Sequence, residues 1–457
     1  MTSSNPFTPG YGSQPPLLAG RDDLLQRTMD AYRSGPGHPD YHLALHGPRG
    51  VGKTVLADAI AAQTHRQLHW MVLSVSGLSD VEVPDEIARQ ATDASRRRGR
   101  RPRQLDAEPT VGVNLGVVKG ELSAKHRDRP PPTVEAALIA LGEYAAAKHL
   151  GAIVVIDEVQ AVPARPQLRA VAAALQSTRR RALPIAAVLT GLPSTPDHLI
   201  EAGTFTERMA KQPLGYLGED ATRLALLQPI VTRGATITPA ALDAAARATR
   251  GYPYFVQLYG FHCWRLADGR NINEDHVDRA ALVVAAEVAA NLYQPRMARL
   301  SALERAYLRA VAEHGERFVP SADVARTLGR SARQLSSTRE ALIADHNILL
   351  SEQPQTVSFA VPGFAEWLRA AGPLVVPSIR RGSPNRRQVT PRYDIGPDPE
   401  KPTAAGVDAA SQGTAATPTS SDSPSESDRS QNDTYRPRWP TPRPRPPSRS
   451  RGDDIGL

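Results

Sequence analysis

Cysteine is nearly missing from this chain: Cys263 is the only one in 457 residues. That count excludes an intrachain disulfide framework and a cysteine-cluster metal site. Lysine is almost as scarce, confined to positions 53, 119, 125, 148, 211 and 401, so arginine supplies nearly all the positive charge. No apolar run approaches the roughly 18–20 residues that a membrane helix needs. The opening MTSSNPFTPGYG has neither the basic region nor the apolar core of a signal peptide. These absences predict a cytoplasmic location and no membrane partner. What is present is ordinary for a folded chain, with 40% hydrophobic and 22% charged residues. A formal charge of +8 permits nucleic-acid binding but does not demand it, because excess arginine, alanine and proline also follow from a GC-rich coding sequence.

The length predicts two or three domains. Composition breaks near residue 371. From there to Leu457 proline, serine, threonine, glycine and arginine dominate, ending in RPRWPTPRPRPPSRSR. Such a segment cannot bury enough apolar surface to offset its ordering entropy, so 371–457 reads as disordered, with polyproline-II character at its end. A second low-complexity stretch lies inside the folded region. SRRRGRRPR (95–103), VGVNLGVVKGELSA (111–124) and RDRPPPT (127–133) read as an insertion over 93–133 carrying a short β-hairpin. The rest of 17–292 alternates apolar strands with helical segments, the pattern of a parallel α/β sheet. The strand candidates are Tyr41–Leu45, Trp70–Ser76, Ala152–Ile156 and Pro184–Leu189. From about 213 onward the pattern is helical.

GPRGVGKT at 47–54 matches G-x-x-x-x-G-K-[ST] between an apolar HLAL and a helix-forming VLADAIAAQ, the context that a phosphate-binding loop requires. Gly47, Gly50 and Gly52 let the backbone wrap phosphates with its N–H groups, and Pro48, Arg49 and Val51 complete the loop. Lys53 would reach the β- and γ-phosphates, and Thr54 would ligate Mg²⁺. AIVVIDEVQ (152–160) ends an apolar strand in two carboxylates at the sheet edge where phosphates sit. Asp157 would hold Mg²⁺ through water, and Glu158 would polarise the attacking water. Thr190, ending the next strand, would lie beside Glu158; it either senses the γ-phosphate or satisfies a strand terminus. Cys263, after His262 among aromatic residues at helical spacing, reads as core.

Together these pieces resemble the P-loop ATPases of the AAA+ and STAND type, and among them bacterial ATP-binding proteins related to the archaeal ATPase and Orc1/Cdc6-like groups. The likeness covers roughly residues 17–370. It rests on LAGRDDLL (18–25), GPRGVGKT, VVIDEVQ, VLTGLPS, FTERM (205–209), TRGYPYFVQLYG (249–260) and the region after 300. The resemblance implies that Gly20 and Arg21 approach the adenine. It implies that Tyr252 and Pro253, in Gly251-Tyr252-Pro253, pack near the nucleotide from a helical lid. It also implies that Arg208 is an arginine finger completing a neighbouring subunit's site, hence a homo-oligomer. No clear sensor arginine stands on the third lid helix, which leaves ring-former and STAND-like switch both open.

After 300 the chain reads as three helices and a β-hairpin, the order of a winged helix. In its third helix Arg330, Arg333, Gln334, Ser337 and Arg339 could reach double-stranded DNA, although the hairpin SEQPQTVS (351–358) carries one acid and no base. The expected fold is an α/β P-loop NTPase core, a parallel sheet with helices on both faces, followed by a helical lid, a winged helix and a disordered tail. The expected boundaries are 1–16 (flexible N-terminus), 17–212 (core), 213–299 (lid), 300–370 (winged helix) and 371–457 (tail). The expected activity is hydrolysis of Mg-ATP as a switch, acting on DNA or on an unidentified protein partner. Truncation after Ala371 should leave the melting temperature and ATP affinity nearly unchanged, because the tail offers no periodic apolar face. Thermal melts with and without ATP check this, and a drop of several degrees would show that the tail packs on the core.

Overall fold

The structure, a computed structural model, describes residues 4–10, 13–96 and 132–372. The hairpin expected at 111–124 and the tail beyond 372 lie outside the described residues. Five parallel strands form the main sheet: β1 (His42–His46), β2 (Met71–Ser76), β3 (Ala152–Asp157), β4 (Ile185–Gly191) and β5 (Ala210–Pro213), in the order β2-β3-β4-β1-β5. The four predicted strands are present within a residue or two. The fifth, AKQP, escaped prediction because it is short, polar and ends in proline, as edge strands often do.

Successive strand residues point to opposite faces, and the core divides accordingly. Leu43, Leu45, Ile153, Val155, Ala186 and Val188 pack with helices α1 (Asp22–Ser34) and α2 (Lys53–Leu68). Ala44, Val154, Ile156, Ala187 and Leu189 pack with α3 (Val83–Arg96), α4 (Val134–Ala147) and α5 (Arg169–Arg180) on the other face. Strands buried on both faces read as unbroken apolar runs, which is why AIVVI and IAAVL carry no polar alternation. Two short helices, α6 (Thr195–Ala202) and α7 (Thr204–Glu207), lead into β5. No helix among the described residues is long and apolar enough to cross a membrane.

The lid consists of α8 (Glu219–Thr232), α9 (Pro239–Thr249), α10 (Pro253–Leu266) and α11 (Glu274–Val288). It is not purely helical as expected, since β6 (Thr236–Ile237) and β7 (Asn271–Ile272) pair in parallel. Cys263 and Trp264 are buried in its core, and burial pushes the Cys263 thiol up to about 12. The expected flexibility of residues 1–16 needs correction over residues 5–8. Phe7 is 2% exposed in the lid core. Around it, the Asn5 side-chain amide donates to the Phe261 carbonyl at 3.0 Å and the Thr8 N–H to Gln257 Oε1 at 3.1 Å. An aromatic ring this buried anchors its neighbours regardless of how polar they are.

After α12 (Gln294–Ala298) come α13 (Ala302–His314), β8 (Val319–Pro320), α14 (Ser321–Thr327), α15 (Ala332–Glu340), β9 (Leu349–Leu350), β10 (Thr356–Phe359) and α16 (Phe364–Ala370). The three strands form an antiparallel sheet in the order β8-β10-β9. Capping boxes, Ser301 with Glu304 and Ser331 with Gln334, start α13 and α15. This region is clamped to the lid. Arg250, in the left-handed conformation after α9, pairs with Glu366 at 2.5 Å and with Glu316. Glu316 also accepts the Gly363 N–H. Tyr293 stacks on Phe364 at 4.6 Å and donates to the Pro362 carbonyl at 2.6 Å. Because Glu316 serves two partners, Glu316→Ala should cost about 1–3 kcal/mol in chemical denaturation. Glu352→Ala, which loses only the exposed pair with Arg317 at 3.3 Å, should cost no more than about 1 kcal/mol.

Candidate functional site

β1 leads from the sheet into the loop 47–52, and α2 begins at Lys53. Gly47, Gly50 and Gly52 have φ of 159°, 79° and 88°. Space forbids a side chain as firmly as the backbone does: a Cβ on Gly47 would strike the Leu214 carbonyl oxygen, and one on Gly50 the Tyr252 hydroxyl. Gly52 caps α2, so the first-turn N–H groups and the positive end of the helix dipole face the loop. Val51 is buried beneath it, while Arg49 is exposed.

Lys53 is 7% exposed, and its ammonium donates to the carbonyls of Gly47 at 2.9 Å and Pro48 at 2.8 Å. Burial pushes its pKa down to about 8, opposed by the carboxylates of Glu158 and Asp157 and assisted by Arg49. The Thr54 hydroxyl donates to Asp157 at 2.9 Å (Oδ2) and 3.2 Å (Oδ1). The same carboxylate accepts the Thr190 hydroxyl and, at 3.0 Å, the Glu158 N–H. Thr190 thus sits on Asp157, whereas the sequence suggested a place beside Glu158. The register is the reason: Ile156 lies opposite Leu189, so the next residues along, Asp157 and Thr190, are neighbours. The Glu158 carboxylate instead accepts the side-chain amide of Gln160, a residue that the sequence reading passed over. Beside this cluster a cavity of about 240 Å³ is lined by Thr54, Asp58, Ser74, Ser76 and Asp157. Burial, with Asp157 nearby, pushes the Asp58 carboxyl up to about 6.

Two further segments meet the loop. Gly20 has φ of 68°, and Arg21 donates through Nη2 to the Gly215 carbonyl at 2.6 Å. Gly215 follows Leu214, whose N–H bonds the His46 carbonyl at 2.7 Å at the start of the loop. From the lid, buried Tyr252 donates its hydroxyl to the Arg49 carbonyl at 2.8 Å, and Pro253 opens α10. Arg296 in α12 is another residue that no periodicity announced. Its Nη1 is buried without a hydrogen-bond partner, and burial lowers its pKa, against Tyr252 and with Arg49.

Arg208 is exposed and ends α7 just before β5. Leu43 of β1 pairs with Ala210 and His46 with Pro213, so Arg208 lies at the amino edge of the sheet. The phosphate-type loop leaves from the carboxyl edge. Of the residues considered for DNA contact, Arg333 and Gln334 are exposed in the first turn of α15, with Gln334 also serving in the capping box. Arg330 is half-buried. Arg339 donates to Ser351 Oγ at 2.7 Å and to the Thr356 carbonyl at 3.4 Å, turned toward the β9–β10 hairpin.

Residues 43–213, from β1 through β5, match the model of the ATPase family associated with various cellular activities (AAA). They form an AAA ATPase domain. Its reaction is ATP hydrolysis. Residues 290–368 match a domain of unknown function (DUF8462). Among solved structures, a Walker-type ATPase of Pyrococcus abyssi is 17% identical with a TM-score of 0.52, covering 77% of this chain and 96% of that one. This is a likeness of fold. Cdc6p of Pyrobaculum aerophilum is 16% identical with a TM-score of 0.39, covering 79% of this chain and 95% of that one. The RuvB Holliday junction branch migration motor of Thermotoga maritima is 15% identical, also at 0.39, covering 77% and 95%. No curated protein matches the sequence.

If the loop lysine contacts the phosphates of ATP, binding needs its charged form. With the Lys53 pKa near 8, ATP affinity should fall as pH rises through that value, by about tenfold between pH 7 and 9. Binding should take up a proton above pH 8, because the phosphates raise the lysine pKa again. Calorimetry in buffers of different ionisation heat measures both, and a pH-independent affinity without proton uptake would remove Lys53 from phosphate contact.

Proposed function

We propose that the chain is a Mg-dependent ATPase working as a nucleotide-controlled switch associated with duplex DNA. The observation that carries the switch is that one turn of the lid touches both ends. Tyr252 bonds the Arg49 carbonyl in the loop, and Arg250, two residues earlier, holds Glu316 and Glu366 beyond the lid. A change in the loop on binding phosphates therefore has a short path to the C-terminal elements, through the Tyr252 hydrogen bond, two residues of chain and the Arg250 ion pairs.

In this reading the N–H groups of Gly47–Thr54 cradle the phosphates and Lys53 reaches the β- and γ-phosphates. Thr54 and Asp157 supply hard oxygen donors in contact with each other, which fits Mg²⁺; when bound, that ion neutralises phosphate charge. Glu158 orients and polarises the attacking water, and Thr190, tied to Asp157, responds to the γ-phosphate. Gly20, Arg21, Tyr252 and Pro253 flank the nucleotide. Arg49, Lys53 and Arg296 bring three cations toward the loop, where burial lowers the pKa of Lys53 and Arg296 and leaves them short of carboxylate partners, which supports an anionic ligand. The exposure of Arg208 away from its own loop supports action in trans, in a homo-oligomer.

We read α13–α15 with the β9–β10 hairpin as a winged helix. The exposed Arg333 and Gln334 support a DNA contact there, alongside Arg330 and Arg339. A second reading, a STAND-like signalling switch whose C-terminal module and tail bind protein, is favoured by Arg339, which is committed to the hairpin.

Lys53→Ala should abolish ATP binding, whereas Glu158→Gln should bind ATP normally and hydrolyse it roughly a hundredfold more slowly or worse. Equal turnover in Glu158→Gln and wild type would remove Glu158 from the role. In the same samples, affinity for random duplex DNA measured against salt separates the two readings. Phosphate contacts give a steep slope that falls by about one unit per lost contact in Arg330→Ala and Arg333→Ala; the protein-binding reading gives none.

A further inference from the structure

The Glu158 carboxylate is not held by the strand that carries it. Glu158 lies one residue past β3 in the left-handed conformation, with φ of 53°, a region that glutamate seldom adopts. Such a conformation persists where surrounding contacts over-determine it. The Glu158 carbonyl accepts the Ala161 N–H at 2.9 Å, and two further contacts are present. The Glu158 N–H donates to Asp157 Oδ1 at 3.0 Å, and the carboxylate accepts the Gln160 side-chain N–H. Gln160 is itself anchored, its Oε1 accepting the Leu192 N–H at 3.1 Å. Space for this anchor depends on Gly191: a Cβ there would approach Gln160 Oε1 to 2.7 Å and would strike the Thr195 hydroxyl. Gly191 is in turn bonded to the loop, since its carbonyl accepts the Gly47 N–H at 3.2 Å.

We infer that Gln160 is a positioning residue for hydrolysis, fixing the Glu158 carboxylate to the end of β4 and through it to the phosphate-binding loop. The inference rests on the reading of Glu158 as the water-polarising group. A carboxylate on a freely rotating side chain samples many rotamers, and holding it in one geometry before the reaction is a recognised source of rate. A primary amide suits the task because it donates to a carboxylate and accepts from a backbone N–H at the same time. The link also gives Glu158 a mechanical connection to Gly47, whose N–H belongs to the loop that the phosphates contact.

Gln160→Glu is the informative variant. It retains an acceptor for Leu192 but cannot, when ionised, donate to Glu158. Gln160→Ala removes both bonds. Each should lower single-turnover hydrolysis, measured with enzyme in excess over hours, by roughly tenfold or more. ATP affinity should stay within about twofold of wild type, since the phosphate contacts are untouched. In a Glu158→Gln background, Gln160→Ala should slow the residual rate by no more than about twofold, because a residue acting through Glu158 has nothing left to position. Wild-type rates in both single variants, or equal losses with and without Glu158, would overturn the positioning role, and so would a rate loss matched by lost ATP affinity. Wild-type turnover in Glu158→Gln itself would instead remove the underlying reading of Glu158.

Discussion

Three structural elements are drawn together at the Asp157 carboxylate, and the geometry of the ATPase site depends on that convergence. Thr54 from the first turn of α2, Thr190 from β4 and the Glu158 N–H all donate to it. A carboxylate accepts several hydrogen bonds at once, and bonds to a charged acceptor are stronger than neutral ones. The Thr54 hydroxyl ties the first turn of α2 to β3, the β3–β4 register brings the Thr190 hydroxyl to the same carboxylate, and the third bond starts the turn that presents Glu158. Without this node the loop glycines would still permit a phosphate wrap, but the groups flanking it would not be aligned.

The loop itself is shaped by exclusion. Backbone from Leu214 and the hydroxyl of Tyr252 press on Gly47 and Gly50 so closely that no side chain fits. A consequence is that the lid belongs to the site: Tyr252 completes the wall, and the same turn reaches the C-terminal elements through Arg250. Lys53 is the buried charge in this arrangement, satisfied by two loop carbonyls, with its pKa pushed down by burial. Polar bonds in a water-poor environment are stronger than at the surface, so a phosphate ligand competes for a lysine that is already engaged.

The lid's contact with the 290–368 region combines a charged clamp and an aromatic stack, Arg250 with Glu316 and Glu366 beside Tyr293 on Phe364. The clamp is partly exposed and therefore screened by salt; the stack and the buried Pro362 bond are not. The two parts respond differently to salt.

The sequence alone determined the elements whose signals are local. The glycine spacing at 47–52 and the apolar strand ending in Asp157-Glu158 are each read within a few residues, because backbone conformation is short-range. The parallel α/β class follows from unbroken apolar strands separated by helices. What only the tertiary structure decided is long-range. The polar edge strand Ala210–Pro213 exists because β1 offers it a ladder. Thr190 bonds Asp157 rather than Glu158 because strand register pairs them. Gln160, Arg250 and Arg296 acquired their places through neighbours 32 or more residues away, as in the Gln160–Leu192 and Arg250–Glu316 bonds. Arg339 turned to the hairpin, which a helical wheel cannot show. Side chains of this kind carry no periodicity, and their partners are chosen by packing, so only the folded chain reveals what each one holds.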